Sequence, residues 1–477
     1  MSTENKTSQV AVLGGGPGGY AAAFMAADLG LTVSLIDTDA NPGGVCVRRG
    51  CIPSKALLHI AKLLHEAREA RNIGVEFAEP KLDIDKIRDW KEQVVTQMTR
   101  GTGQLAKSRK VNYVQGHGKL TGPNAINVDL VDGGKETVTA DYIILATGSR
   151  PITLPFQPQD SPRVMDSTLA LELKDIPETL LVVGGGYIGL ELGSAYAALG
   201  SKVTVVEMTD HLARGTDRDL VRILTKRLNQ DLEAVLTETK VTAMTDTGDA
   251  VKVTMEGPKV SEPEQTFAKV LVAVNRQPNT ENIGLENTKV ELTERGFIKV
   301  DKQLRTTEAN IFAIGDLTGD PMLAHKATHE GRTAAEVIAG HPSEFEPAVI
   351  PSVFYTDPEI AYAGLTETEA KAQNRNVEIA RFSWAASGRA TTLNRNDGVT
   401  KLIIDPLTER VLGMGIAGPG AGELIAEGVL AIEMAAVASD IGMSIHPHPT
   451  LTESVMESAD VFYGNSTHVY RPKRKKK

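Results

Sequence analysis

The chain has little cysteine: two in 477 residues, which excludes the disulfide-stapled scaffolds of small secreted proteins. It lacks a leader. The opening Met1-Ser2-Thr3-Glu4-Asn5 has neither the basic nor the apolar stretch of a signal peptide. It lacks a basic surface as well: 51 lysines and arginines face 61 acidic residues, and six of the 51 fall in the last seven positions, Arg471 to Lys477. So acidic a body argues against nucleic acid and anionic membrane as partners. Long apolar runs are scarce. The one candidate, Leu180 to Gly200, carries Glu191 near its middle and closely spaced glycines, so it reads as a buried strand–turn–helix and not as a membrane span. With 41% apolar and 23% charged residues, a disordered chain is excluded too. A soluble cytoplasmic protein is expected, of about three domains at roughly 150 residues each.

Glycine is plentiful, with 44 residues, and its placement organises the chain. Val10 to Leu13 is an apolar run followed by Gly14, Gly16 and Gly19, then an alanine-rich stretch to Gly30 and a second apolar run ending at Asp37. The pattern recurs 170 positions later as Leu181 to Val183, then Gly184, Gly186, Gly189, Gly200 and Glu207. In strand–turn–helix context the first glycine allows a tight turn and the second lets the backbone approach a pyrophosphate. The third lets helix and strand pack closely, and the helix N-terminus offers free N–H groups to phosphate. The carboxylate, 18 positions after the third glycine in both copies, is placed for a ribose. Two dinucleotide sites are expected. In the second, Glu207 suits a free 2′-hydroxyl, and no arginine follows until Arg214, which favours NAD over NADP.

Both cysteines sit directly after the first copy, in Gly43-Gly44-Val45-Cys46-Val47-Arg48-Arg49-Gly50-Cys51-Ile52-Pro53-Ser54-Lys55. A regular helix would hold their Cα atoms roughly 8–9 Å apart, beyond the ~7 Å that a disulfide bridges. A bent backbone is required, and Gly50 and Pro53 make one available. Pro53 suits the first turn of a helix running to Leu64, which puts Cys51 near a positive helix end that favours its thiolate. A redox-active pair is the expected reading. Near the other end, Pro447 and Pro449 flank His448, and Glu453 follows. A carboxylate on one imidazole nitrogen leaves the other free to take a proton. The pair His446-x-His448 has too few ligands nearby for zinc, so no metal is expected and His446 is assigned a structural part.

Taken together, Gly14 to Gly19, Cys46 to Lys55, Ala146-Thr147-Gly148, Gly184 to Glu191, Ile314-Gly315-Asp316 and His446 to Thr450 with Glu453 resemble the pyridine nucleotide–disulfide oxidoreductases over essentially the whole chain. Within that family the likeness is to the dihydrolipoamide-oxidising type that serves bacterial 2-oxo-acid dehydrogenase complexes. The resemblance implies an α/β fold with two Rossmann-like domains, for FAD and NAD, and a C-terminal α+β dimerisation domain. The expected boundaries are 1–150 for FAD and the disulfide, 151–278 for NAD, 279–346 for a central segment completing the FAD site, 347–470 for dimerisation and 471–477 for a basic tail. It implies FAD contacts at Gly14, Gly16, Gly19, Asp37, Lys55, Gly118, Thr147, Gly148, Asp316, Met322, Leu323 and Ala324, and NAD contacts at Gly184, Gly186, Gly189, Glu207 and Asn275. It makes Cys46 the interchange thiol, Cys51 the flavin-side thiol, Lys55 and Glu191 an ion pair beside the flavin, and His448 with Glu453 the base. Implied partners are a second copy of the chain and the lipoyl domains and acyltransferase core of such a complex.

Three positions depart from the family pattern. Val47-Arg48 stands where Leu-Asn is usual, and two arginines beside the disulfide predict a lowered thiol pKa. Asp37 is one methylene shorter than the usual glutamate, which predicts a looser hold on FAD. Asn275 replaces a glycine near the NAD turn.

Overall fold

The computed structural model describes residues 5–470; the basic tail at 471–477 lies outside the described residues. The apolar run Val10 to Val12 is fully buried, as a strand covered on both faces requires. It belongs to strand Asn5–Leu13, which pairs in parallel with Val33–Asp37 on one side and Lys135–Leu145 on the other. Strand Asn112–Gly122 extends this sheet beyond Val33–Asp37, and Ala125–Leu130 links it back to Lys135–Leu145 as an antiparallel meander. The register puts Leu13 beside Ile36 and Leu145, so the turn at Gly14 opens at the carboxyl edge, where open α/β sheets bind ligands.

Strand Ile311–Ala313 joins the far side of this sheet in parallel with Lys135–Leu145. The helix that follows, Ala324–Ile338, crosses helix Pro17–Asp28 backbone to backbone. A Cβ on Gly331 would lie 2.4 Å from the Gly18 oxygen, and one on Gly18 would lie 2.9 Å from that of Ala327. Residues far apart in sequence thus form one layer over the first sheet.

The second sheet is wholly parallel, in the order Ala234–Leu236, Lys202–Val206, Thr179–Val183, Lys269–Val272 and Val164–Met165. Thr179–Val183 and helix Tyr187–Leu199 account for the apolar run around Glu191. Among the described residues no helix is long and apolar enough to cross a membrane. An antiparallel ribbon of Lys240–Asp246, Val251–Glu256 and Glu264–Phe267 caps this unit.

The C-terminal unit is a five-stranded antiparallel sheet, ordered 352–354, 360–364, 411–417, 399–404 and 378–383, against which helices Ala421–Glu433 and Glu453–Tyr463 pack. It is bolted to the second unit by charge. Lys401, 1% exposed, reaches Asp217, Asp219 and Glu367 at 2.8, 2.6 and 2.7 Å. Those three carboxylates are the group among the described residues that could otherwise gather a metal ion, and the lysine ammonium sits among them. The architecture is therefore two Rossmann-like units and an α+β unit.

Candidate active site

The first glycine turn is built as its spacing requires. Gly14 has φ +108°, and a Cβ there would lie 2.3 Å from the Ala146 oxygen. A Cβ on Gly19 would meet the Gly14 oxygen at 1.8 Å, whereas one on Gly16 would meet nothing within 4 Å. Gly16 therefore faces open space at the N-terminus of helix Pro17–Asp28, where a phosphate would meet unpaired N–H groups. Asp37 accepts from the N–H groups of Gly15 and Asp39. Burial pushes its carboxyl upward, against these two bonds.

That turn lines a cavity of about 380 Å³ shared by Asp37, Cys46, Cys51, Lys55, Thr147, Gly148, Glu191, Asp316, Met322 and Ala324, within the range of ligand sites. Leu323 precedes helix Ala324–Ile338 at its cap and is not in the wall. Gly118 packs inside the first sheet, where an added Cβ would meet Leu13 at 2.5 Å, and it is also absent from the cavity wall.

The cysteines meet because the helix breaks between them. Helix Gly44–Arg49 stops at Gly50, whose φ of −148° and ψ of −114° turn the chain into helix Cys51–Glu69. Across that kink the two sulfurs approach to near 3 Å. A hydrogen bond from the Cys46 thiol favours the Cys51 thiolate; burial opposes this and the Lys55 ammonium helps, bringing Cys51 down to about 7. The same bond, with burial, pushes Cys46 up. Neither arginine is among the leading causes of the two shifts. Arg48 donates to the Asn41 carbonyl at 2.8 Å, and both Arg48 and Arg49 pair with Asp39. One carboxylate, Asp39, thus holds both guanidinium groups.

Lys55 pairs with Glu191 at 2.7 Å, and the carboxylate is only 3% exposed. Tyr355, from the C-terminal unit, serves both partners. Its N–H donates to Glu191 at 3.0 Å, and its ring lies 4.4 Å from the Lys55 ammonium. Sequence reasoning missed it, since nothing local marks a tyrosine that acts from another domain. Asp316 accepts from the Ser149 hydroxyl, which Arg276 in turn engages at 2.7 Å. Beneath it a buried pair, Lys326 and Glu330 at 2.9 Å, braces the turn: Glu330 accepts from the Gly315 N–H, and Lys326 donates to the Gly315 and Gly319 carbonyls. That pair had a legible signal, its i,i+4 spacing on a helix.

The second turn repeats the first. Gly184 has φ +114° and its Cβ would lie 2.4 Å from the Ala273 oxygen; Gly189 closes on the Gly184 oxygen, and Gly186 is open. Glu207 accepts from the Gly185 N–H at 2.8 Å and from the Thr209 N–H and hydroxyl at 2.8 Å each. The first arginine paired beyond it is Arg218, which Asp210 holds. Asn275 lies next to Val274, whose Cα faces Gly184, and its side-chain oxygen accepts from the Arg276 N–H.

His448 stands elsewhere. Its Nδ1 meets Glu453 at 2.9 Å, its side chain is 72% exposed, and it is not in the wall of the cysteine cavity. Burial works against the ionised Glu453, but the Thr450 N–H and the His448 ring outweigh it and hold that carboxyl below its usual range. His446 has both nitrogens engaged, by Glu427 and by the Ser444 carbonyl at 2.8 Å each. Around them Leu430, Met434, Met443 and Ile445 are bare, Ile445 to 98%.

Two glycine turns each with a carboxylate, a sulfur pair on the floor of the first and a buried lysine–glutamate pair beside it define a flavin- and nicotinamide-dependent disulfide reductase. The residues fit a flavin dinucleotide, because Gly16 leaves open the space that any side chain would fill. Comparison with known proteins agrees. The chain belongs to the pyridine nucleotide-disulphide oxidoreductases: the family model matches residues 8–331, and that of the family's dimerisation domain matches residues 350–459. FAD and NAD are the cofactors of this family and its relatives. Similar curated proteins are the dihydrolipoyl dehydrogenases of Vibrio cholerae, 53% identical over the full length of both chains, and of Haemophilus influenzae, 50% identical over 100% of this chain and 99% of the other. That of Bacillus subtilis is 42% identical over 96% and 97%. Among solved structures, LpdA of Mycobacterium tuberculosis superposes with a TM-score of 0.88 at 27% identity, covering 95% of this chain and 99% of that one. The Cu(II) complex of RclA, an HOCl-induced flavoprotein disulfide reductase of Escherichia coli, gives 0.85 at 26% identity over 97% and 100%.

Proposed function

We propose that the chain oxidises dihydrolipoyl groups to lipoyl groups and delivers the electron pair to NAD, as a dihydrolipoyl dehydrogenase. The observation that carries this is the Cys46–Cys51 pair in the wall of the cavity opened by the first glycine turn. When bound there, FAD supplies the two-electron relay between the sulfurs and the nicotinamide. Gly14, Gly16, Gly19, Asp37, Thr147, Gly148 and Asp316 hold it, and Gly184, Gly186, Gly189 and Glu207 hold NAD.

The thiol half of the reaction runs on this chain's own groups. Glu453 occupies His448 Nδ1, which leaves Nε2 to take a proton from one substrate thiol. The resulting thiolate attacks Cys46 in the Cys46–Cys51 disulfide. A mixed disulfide forms at Cys46, and Cys51 leaves as a thiolate. The Lys55 ammonium, one of the groups that lower the Cys51 pKa, favours its departure as a thiolate. The second substrate thiol then passes its proton to the departing Cys46 sulfur as it attacks the substrate sulfur of the mixed disulfide, closing the lipoyl ring and releasing Cys46 as a thiol. Lys55 beside Cys51 stabilises the negative charge, and buried Glu191 keeps the ammonium in place.

His448 reaches a cysteine pair only if a second copy brings it there, so the working unit is a homodimer. The bare apolar side chains around His446 and His448 support this reading. The lipoyl domains and acyltransferase core of a 2-oxo-acid dehydrogenase complex are the proposed partners, with the enzyme in the cytoplasm. The test is anaerobic mixing of the purified protein with dihydrolipoamide, followed by NAD or NADP. Flavin reduction and NADH formation are expected, without NADPH. Flavin that stays oxidised by the dithiol yet is reduced by NADH would refute the substrate and turn attention to other disulfides.

A further inference from the structure

Three cationic side chains border the cavity of the first glycine turn: Lys55, Arg276 and Arg49. A dinucleotide brings a pyrophosphate dianion into a wall that already contains Asp37, Asp39, Glu191 and Asp316, so it needs an uncommitted cation. Lys55 is committed to buried Glu191 at 2.7 Å. Arg276 is committed at both ends of its fork, to the Ser149 hydroxyl at 2.7 Å and the Ser149 carbonyl at 2.6 Å. Arg49 differs. Among the described residues its hydrogen bond goes to Asp39 alone, at 2.6 Å, which leaves most of the five guanidinium N–H donors unspent. Its neighbour Arg48 donates to the Asn41 carbonyl, also pairs with Asp39, and is not in the cavity wall.

The position of Arg49 fixes which part of the dinucleotide it meets. Asp39 is two residues past Asp37, the carboxylate of the first copy, and donates its N–H to it at 2.9 Å. Arg49 is therefore held at the Asp37 end, where the adenosine half lies, rather than at the sulfurs. Asp37 itself is drawn onto the backbone, with one oxygen on the Gly15 N–H and the other on that of Asp39. A guanidinium fork matches phosphate geometry. We infer that Arg49 is a binding residue for the adenosine diphosphate half of FAD, for which Asp39 is a competing acceptor. This rests on the reading of the first copy as the flavin site.

The test uses the full-length protein. FAD affinity is measured by flavin fluorescence on dilution of the holoprotein, and ADP is measured as a competitor for reconstitution of the stripped chain. Arg49→Ala is expected to weaken FAD and ADP alike by about tenfold, the low end for a charge-assisted bond at a partly exposed site. Arg49→Lys, which keeps the charge without the fork, falls between. Asp39→Asn separates binding from bracing: it frees Arg49 and leaves FAD affinity at or above that of the unaltered protein. Unchanged affinity in Arg49→Ala overturns the assignment. So does an equal loss in Arg49→Ala and Asp39→Asn, which would make the pair a loop brace. An unaltered chain that binds no FAD overturns the reading of the site itself, and this inference with it.

Discussion

The hydrogen bond between the cysteines makes a quantitative claim about which of them ionises. Cys51 is drawn down to about 7, so at pH 7 half of it is thiolate, against about 3% for an ordinary thiol near 8.5. That is about sixteenfold more nucleophile. A Brønsted slope of ~0.45 takes back about fivefold of it, so Cys51 of the reduced chain should alkylate about threefold faster than a free thiol at pH 7. By pH 9, where both are largely ionised, the order reverses and Cys51 is about fourfold slower. Replacing Cys46 by alanine removes the donor. At the low end for a bond to a charged group, ~1.5 kcal/mol, the Cys51 inflection rises by about one unit, toward pH 8. The assay is iodoacetamide labelling of the reduced, flavin-free protein from pH 5 to 10, with each cysteine quantified by peptide mass spectrometry. An inflection for Cys51 at 8.5 or above in the unaltered chain would refute the argument. So would an inflection that Cys46→Ala leaves in place.

Glu191→Gln leaves Lys55 facing an amide where it had a buried carboxylate. Removing one partner of a buried pair costs roughly 3–5 kcal/mol, and because Lys55 is about one-third exposed a loss of about 2 kcal/mol is expected in urea unfolding of the holoprotein. The glycine turns should separate by function. Gly14→Ala drives a Cβ toward the Ala146 oxygen and should abolish flavin retention, while Gly184→Ala should keep the flavin and lose NADH oxidation. His448→Gln should lower dihydrolipoamide turnover by about 10²–10⁴, the usual reach of a general base, and leave NADH-driven reduction of an artificial electron acceptor near normal. Activity regained when His448→Gln and Cys46→Ser chains are mixed would place the base in the partner; no recovery, with exchange of subunits demonstrated, would refute the shared site.

The two nucleotide units were legible because each step of their sequence pattern is enforced by contact. Gly14, Gly19, Gly184 and Gly189 all stand where a Cβ would strike a main-chain oxygen, so the spacing cannot drift without losing the turn. The cysteine kink was legible for the same sort of reason, since only a break at Gly50 lets residues five apart meet. Contacts between units were not legible. Tyr355 reaching Lys55 and Glu191, or Lys401 buried among Asp217, Asp219 and Glu367, bring together segments more than a hundred residues apart. No local period records such a meeting.

The arginines show a subtler limit. Adjacency in sequence to Cys46 suggested action on the thiols, yet on a helix the two-residue step to Arg48 is a rotation of about 200°, and the long side chain of Arg49 carries its charge away from its own backbone position. What decides the electrostatic effect is where the compensating charge sits. Asp39 lies on the side of Asp37, and it draws both guanidinium groups toward that end of the cavity. Lys55, four residues after Cys51 and so almost one full turn along its helix, stays on the sulfur side and contributes to the lowered Cys51 pKa. The electrostatics of the thiol pair are therefore set by the Cys46–Cys51 hydrogen bond, by burial and by the Lys55 ammonium, and proximity of the arginines in sequence does not foretell them.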